Sequence, residues 1–222
     1  MLILATSKIQ SNYQTTIPKE IRKNYDIDNE TVVEWFINKN GNPEINFRKK
    51  RNFKNLAGAF KTDEKTNAVE LKRGFVRMRK IFLDTSFILA YINSNDDLHE
   101  NALKLEEAEN ILSQNVYINN NVLNEVLTLT GRKMNIDAAE EIYYSLVDSF
   151  EILNEYTILN YTAKTFDIFK KIVGDNSKKT KLSFTDSSII LTMKESNITE
   201  LVSFNQQFKN FNKISLIGLD YL

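Results

Sequence analysis

The sequence predicts an α/β fold, a parallel sheet flanked by helices, preceded by a small, mostly-β domain. Three observations carry this. From Lys80 onward, short apolar strands alternate with segments of helical period, as in sheets covered on both faces. Residues 5–48 instead read as short strands around one short helix. Charge divides the same way: residues 1–80 hold 17 Lys/Arg against 9 Asp/Glu, and residues 81–222 hold 12 against 20, although the whole chain is neutral. Such a split points to two parts with different partners, or to parts that bind each other.

The 222 residues allow one large domain or two modest ones. No cysteine is present, which excludes disulfides and thiolate zinc sites and fits a reducing compartment. "MLILATSK" is too short for a secretory leader, and no run approaches a membrane span. The expectation is a soluble, cytoplasmic protein without a membrane partner. The basic surplus is concentrated: residues 1–50 carry 8 Lys/Arg against 6 acids, residues 51–80 carry 9 against 3. The expected domains are therefore 1–50, a basic linker or arm over 51–79, and 80–222.

In the first domain, "TTIPKEIRKNYDI" puts Pro18 where a first helical residue would stand, its missing N–H costing nothing there. "TVVEWFI" (31–37) is a strand by composition, Asn40-Gly41 is a turn signal, and "EINFRK" is a second strand. About 50 residues bury too little surface to be comfortable alone, so this part is expected to dimerise. In the arm, Phe53, Leu56, Phe60, Val69, Leu71, Phe75 and Val76 are many large apolar residues for a free tether, and docking is expected.

In the third domain "KIFLD" is a strand, 98–113 and 121–133 are helical by period, and "VYIN" (116–119) is a strand between them. Residues 137–149 are helical, "FEIL" is extended, and 155–173 and 184–196 are helical. "ELVSF" (200–204), a short helix at "QQFKNF" and "ISLIG" (214–218) complete the series. Ligands of such sheets sit outside the carboxyl ends of the strands, which places Asp84 and Asn205 on the functional edge.

Three acids interrupt apolar patterns. Asp84 lies in "IFLDTSFILAYI", Glu125 on the stripe of Val122 and Leu129, and Asp186 on that of Ile189, Ile190 and Met193. Each has a plain reading. Asp84 could cap "FILAYI", Asp186 could favour a helix dipole, and Glu125 could reach solvent. Together they ask for a common counter-charge, because a buried unpaired carboxylate costs several kcal/mol, about 2–7 even for neutral polar groups. Oxygen ligands without Cys or a His cluster favour Mg²⁺ or Mn²⁺ over zinc. His99, the lone histidine, is expected exposed in a helix's first turn. No nucleotide-binding glycine loop is present.

"FLDTSFILAYI", "HENALKLEEAENIL", "NNNVLNEVLTLTGRK", "LSFTDSSIILTMKE" and "ELVSFNQQF", in this order over about residues 80–218, resemble the PIN-domain ribonucleases of VapC type, toxins of toxin–antitoxin pairs. The resemblance implies a PIN-like parallel sheet and Mg²⁺-dependent RNA cleavage. It carries Asp84, Glu125 and Asp186 onto the family's first three acidic positions, and Thr85, Thr185 and Ser203 onto the accompanying hydroxyl positions. Asn205 falls where a fourth acid is usual. The loss of one negative charge implies weaker metal affinity and slower catalysis.

"TSKIQSNYQTTIPKEIRKNYDIDNETVVEW" resembles the AbrB/MazE-type swapped-hairpin domain. That resemblance implies an intertwined dimer that contacts operator DNA through Lys8, Gln14, Arg22 and Lys23. Tyr13 and Asp26 stand where glycine is common. The whole chain thus resembles an antitoxin fused to its own toxin, with Met78 where a separate toxin would begin. "AVELKRGFVRMRK" (68–80) would be the neutralising arm, with Arg73 or Arg77 pairing with the carboxylates. The expected function is an autoinhibited endoribonuclease acting on RNA; the alternative is a DNA-binding autoregulator with a weak or silent PIN domain.

Overall fold

In the computed structural model, which describes residues 5–60, 78–175, 182–211 and 213–222, the chain separates into two units, Met1–Arg51 and Asn52–Leu222. The first contains helix α1 (Lys19–Asn24) and the antiparallel pair β1 (Thr31–Ile37) and β2 (Pro43–Lys49). Pro18 precedes α1 rather than beginning it. Its ψ of 148° is extended, and its carbonyl accepts the first helical bond, from Arg22 N–H at 3.0 Å. The turn between the strands is organised by Asn38, whose Oδ1 accepts from the N–H groups of Asn40 and Asn42, while Gly41 takes φ +78°. Tyr13 and Asp26, the two residues standing where glycine is common, both adopt positive φ, 61° and 49°.

Register divides the hairpin into two faces. Val33 faces Phe47 and Trp35 faces Ile45, so one face is apolar. The opposite face carries the Glu34–Arg48 ion pair at 2.6 Å. None of the described residues of this unit is buried, and Trp35 is 73% exposed. With Ile9, Tyr13, Ile17 and Tyr25, the apolar face lines an open groove of about 920 Å³.

The second unit is built on a five-stranded parallel sheet in the order β5–β4–β3–β6–β7. The strands are β3 (Lys80–Leu83), β4 (Asn115–Asn119), β5 (Glu151–Leu153), β6 (Glu200–Val202) and β7 (Ser215–Ile217). The helices are α2 (Thr85–Ile92), α3 (His99–Glu109), α4 (Asn120–Lys133), α5 (Ile136–Ser149), α6 (Tyr161–Asp175) and α7 (Phe184–Glu195). β3 lies at the sheet's centre and Ile81, Phe82 and Leu83 are fully buried, which explains why this strand is apolar on both faces. Asparagine supplies most of the punctuation. Asn119 and Asn135 cap α4 and α5, and Asn110 ends α3 in the left-handed conformation. The helix expected over 155–173 is divided. Asn154 caps a single 3-10 turn, Asn160 takes φ +56°, and α6 begins only at Tyr161.

Two findings depart from the pattern of the sequence. His99 does open α3, but it is buried, with Nδ1 2.7 Å from the Ala90 carbonyl; α2 covers it. Residues 52–60, which composition groups with the basic linker, belong to the second unit's core: Phe53 is 1% exposed, stacks on Tyr91 and meets Phe150 at a tilt. No helix of the described residues is long and apolar enough to cross a membrane. Most of the proposed neutralising arm, including Arg73 and Arg77, lies outside the described residues.

Candidate active site

The carboxyl edge of the sheet is assembled from four chain segments. Asp84 follows the central strand β3, and its N–H continues the ladder to the Val202 carbonyl at 3.0 Å. It is the N-cap residue of α2 by position, yet its side chain makes no capping bond. Its Oδ2 instead accepts two hydroxyls, from Ser86 and from Ser203, both at 2.6 Å. With only 5% of its surface exposed, Asp84 is a carboxylate held by charge-assisted hydrogen bonds instead of by a cation side chain. The plain capping reading is therefore replaced by a network.

That network joins β3 to β6. Ser203 follows β6 and, besides donating to Asp84, accepts the Asn205 N–H at 2.9 Å. Ser86 accepts the Phe204 N–H at 3.2 Å and lies 3.3 Å from the Ser203 hydroxyl. Asn205 stands two residues past Ser203, but its Oδ1 accepts from Gln207 N–H at 3.1 Å and caps the following 3-10 turn. An amide engaged this way contributes no negative charge to the edge.

Glu125 reaches the same edge from the other side. It sits in α4, which starts directly from β4, and Thr85 donates to its Oε2 at 2.9 Å. Thr85 is the neighbour of Asp84, so this bond brings the first and second acids together. Asp186 enters from the first turn of α7, 9% exposed. Ser183 and Asp186 form a capping box: Asp186 N–H donates to the Ser183 hydroxyl, and Ser183 N–H donates to Asp186 Oδ2 at 2.5 Å. The helix-start reading of Asp186 thus holds for one of its oxygens. Thr185 is half-buried, and its carbonyl accepts from Ser188 at 2.6 Å.

α4 and α7 are locked together by a residue that the sequence patterns did not single out. Asn119 is almost fully buried, accepts Val122 N–H as the cap of α4, and donates to Ser188 and Thr192 of α7, both at 3.1 Å. It fixes the helix carrying Glu125 against the helix carrying Asp186. Ser86 was likewise unmarked, its signal being only a hydroxyl two residues beyond a strand-end acid.

Burial pushes the Asp186 carboxyl up to about 6; the Ser183 N–H pulls it down, and the negative charges of Asp84 and then Glu125 push it further up. The three acids therefore share one electrostatic environment. Among the described residues, however, no group of three His, Cys, Asp or Glu side chains is placed to hold a metal ion. The two observations differ in range. Charge repulsion acts over several ångströms, whereas ligands sit about 2.0–2.6 Å from a hard cation. Like charges move apart, and here each acid is held by donors close at hand: Asp84 by Ser86 and Ser203, Glu125 by Thr85, Asp186 by Ser183.

A PIN-domain model matches residues 81–214, more than half of the chain. The chain belongs to the PIN-domain family. No curated protein matches it significantly. Among solved structures, the PIN domain is similar to VapC20 of Mycobacterium tuberculosis, a toxin that cleaves the sarcin–ricin loop, at 22% identity and a TM-score of 0.48 over 60% of this chain and 95% of that one. It is also similar to VapBC2 of Rickettsia felis bound to a promoter DNA fragment, at 19% identity and a TM-score of 0.46, over 62% of this chain and 96% of that chain. For FitAcB of Neisseria gonorrhoeae the values are 18% and 0.45, over 64% and 99%.

Does this PIN domain's edge suit a divalent ion? Its donors are all oxygen, from carboxylates, hydroxyls and an amide, which is the set that Mg²⁺ and Mn²⁺ prefer. Burial is the main cause of the raised Asp186 carboxyl, and the charges of Asp84 and Glu125 add a repulsion that a cation would relieve.

The raised Asp186 carboxyl has a consequence for stability without metal. A carboxyl whose folded pKa is raised contributes stability that is complete below the unfolded value of 3.8 and is lost as pH rises through about 6. Metal-free protein is therefore expected to lose roughly 2–3 kcal/mol from this group between pH 4 and 7. Asp186→Asn keeps a capping oxygen and should flatten that dependence, as read by urea midpoints in EDTA at pH 4.5 and 7. An unchanged pH slope in the variant would contradict the electrostatics described here.

For the first unit, Lys8, Gln14, Arg22 and Lys23 are all exposed. Gln14 accepts from the Asn12 amide at 2.7 Å, and Arg22 and Lys23 lie in the last turn of α1.

Proposed function

We propose that the PIN domain is an Mg²⁺- or Mn²⁺-dependent endoribonuclease, held in check by an antitoxin-like region of the same chain. The principal support is the convergence of Asp84, Glu125, Asp186 and the Ser203–Asn205 segment on the carboxyl edge of a parallel sheet. Asp84, Glu125 and Asp186 would supply the oxygens that hold the ion. Bound there, it would activate water and offset charge on the scissile phosphate. Ser86 and Ser203 orient Asp84, both hydroxyls donating to its Oδ2. Thr85 orients Glu125 in the same manner, and Asn119 sets the distance between the two helices that carry the remaining acids.

The direct test is cleavage of an RNA pool by residues 52–222 carrying Arg73→Ala and Arg77→Ala, with Mg²⁺ or Mn²⁺ and with EDTA, beside the full chain. The reading expects metal-dependent cleavage by the PIN unit and less by the full chain. Absence of cleavage with either ion would overturn it.

One observation favours the alternative, a DNA-binding autoregulator with a silent PIN domain. Asn205 is neutral, and its side-chain oxygen is spent on Gln207. Asn205→Asp decides between the two. If the parent is inert and the variant gains ion binding by calorimetry together with cleavage, the native chain is the silent regulator. If the parent already cleaves, the variant should do so several-fold faster.

The first unit is read as a dimerisation and DNA-binding module whose partner is a second copy. The apolar face of Val33, Trp35, Ile45 and Phe47, on which Trp35 and Ile45 stay exposed, supports this, because an isolated two-stranded hairpin is at best marginally stable in water. Trp35→Asp should convert a dimer to a monomer in sedimentation at micromolar concentration and abolish salt-sensitive binding to DNA upstream of the gene. A dimer that survives the substitution would exclude this face as the interface.

A further inference from the structure

The break that divides the helix expected over 155–173 leaves a hollow on the carboxyl edge of the sheet, past β5. Its volume is about 510 Å³, and Glu155, Tyr156, Leu159, Asn160 and Tyr161 are among the residues that line it. Two contacts fix the hollow beside the acids. Asn154 Oδ1 accepts from the Tyr156 N–H at 2.9 Å and from the amide of Asn120, the first residue of α4, at 3.3 Å. The Asn121 amide donates to the Tyr161 hydroxyl at 2.8 Å, and Asn121 lies four residues before Glu125, on the same face of α4. The Tyr161 hydroxyl therefore stands about one helical turn from the second acid. Three groups in the hollow are unspent among the described residues. The Tyr156 ring is 87% exposed, the Glu155 carboxylate makes no hydrogen bond or ion pair, and the Tyr161 hydroxyl, which accepts from Asn121, donates its proton to no acceptor.

Taking RNA as the ligand from the ribonuclease reading, on which this step rests, we propose that the hollow is a base-binding subsite for single-stranded RNA, selective for guanine. Unpaired bases are held by stacking on aromatic side chains, and Tyr156 presents an almost uncovered ring. Glu155 excludes a phosphate as the occupant, because its carboxylate would repel one. An ionised carboxylate only accepts hydrogen bonds, so it calls for an edge with two adjacent donors. Guanine, whose N1–H and N2 amino group lie side by side, is the RNA base with such an edge. The Tyr161 hydroxyl then donates to a sugar oxygen of the same nucleotide, on the side facing Glu125. A guanine seated this way carries the neighbouring phosphodiester toward the acids.

The test uses the full chain with Arg73→Ala and Arg77→Ala, so that the arm does not compete. Its probes are 2′-O-methyl uridine oligomers with one central guanosine, inosine or abasic residue, read by fluorescence anisotropy in Mg²⁺. The guanosine oligomer is expected to bind about tenfold tighter than the abasic one. Tyr156→Ala should cost the guanosine oligomer about tenfold and the abasic one far less, and Tyr156→Phe should keep the difference. Inosine lacks the N2 amino group, and the parent should prefer guanosine to it by about tenfold, a preference that Glu155→Ala removes. A parent that does not distinguish guanosine from the abasic residue would overturn the proposal. So would an equal loss on all three oligomers in Tyr156→Ala, or a guanosine preference that survives Glu155→Ala. Cleavage of the matching ribo-oligomers is scored separately. Base-selective binding without cleavage removes the nuclease reading and leaves the subsite, whereas cleavage without base selectivity removes the subsite alone.

Discussion

In residues 52–222 freed of the arm by Arg73→Ala and Arg77→Ala, Asp84→Asn is expected to lower RNA cleavage about a thousandfold, near 4 kcal/mol of barrier, while the melting temperature moves little. The reasoning starts from its partners. Asp84 presents Oδ2 to the Ser86 and Ser203 hydroxyls, and asparagine can present one oxygen to the same donors with nearly the same shape. What asparagine removes is a unit of negative charge at the sheet's centre, between the segments carrying Glu125 and Ser203. If the edge works by holding a divalent cation, that loss falls on ion affinity and on the reaction together. Single-turnover cleavage across a Mg²⁺ titration checks both, and a variant as active as its parent would remove Asp84 from the chemistry. Asp84→Ala gives the complementary result. It leaves two buried hydroxyls without their acceptor, so it should also lower stability by about 1–3 kcal/mol.

Much of this edge was legible from sequence because its signals are local. An acid at the end of a doubly apolar strand, or on the apolar stripe of a helix, contradicts its own pattern, and Asp84, Glu125 and Asp186 are all of this kind. The parallel sheet was legible for the same reason: Ile81–Leu83, Val116–Ile118 and Leu201–Val202 are short apolar runs separated by helical periods. What escaped depends on contacts between residues far apart in the chain. Asn119 reads as one asparagine in a run of three, and only the packing of α7 reveals it as a tie between two helices. His99 has charged neighbours along the chain, yet α2 and the Gly58 backbone bury it. Residues 52–60 hold one basic residue, Lys54, at the edge of a basic stretch, and a single 3-10 turn with Phe53 and Leu56 on it has too few residues for any period to register.

Truncation at Met78, where a separate toxin would begin by resemblance, is expected to be the most damaging single change to stability. It removes Phe53 and Leu56, both almost fully buried, and uncovers Tyr91, Phe150 and the buried His99. Large-to-small substitution at such sites costs about 3–5 kcal/mol for phenylalanine and about 2–5 for leucine. Their joint loss is comparable to the roughly 5–15 kcal/mol that holds a typical domain together. The main-chain bonds from Gly58 and Phe60 are lost as well, leaving the Tyr91 and Ile92 carbonyls short of a partner. Residues 78–222 should therefore be partly unfolded or aggregating at 25 °C, with weak chemical-shift dispersion, whereas residues 52–222 should unfold cooperatively in urea. A synthetic peptide of residues 51–61, added to the shorter fragment during refolding, should recover part of the difference, since its contacts need no covalent link. Equal urea midpoints for the two fragments would mean that the plug contributes nothing. The groove beneath Phe53 would then close on itself, which the stacked rings of Phe87, Tyr91 and Phe53 argue against.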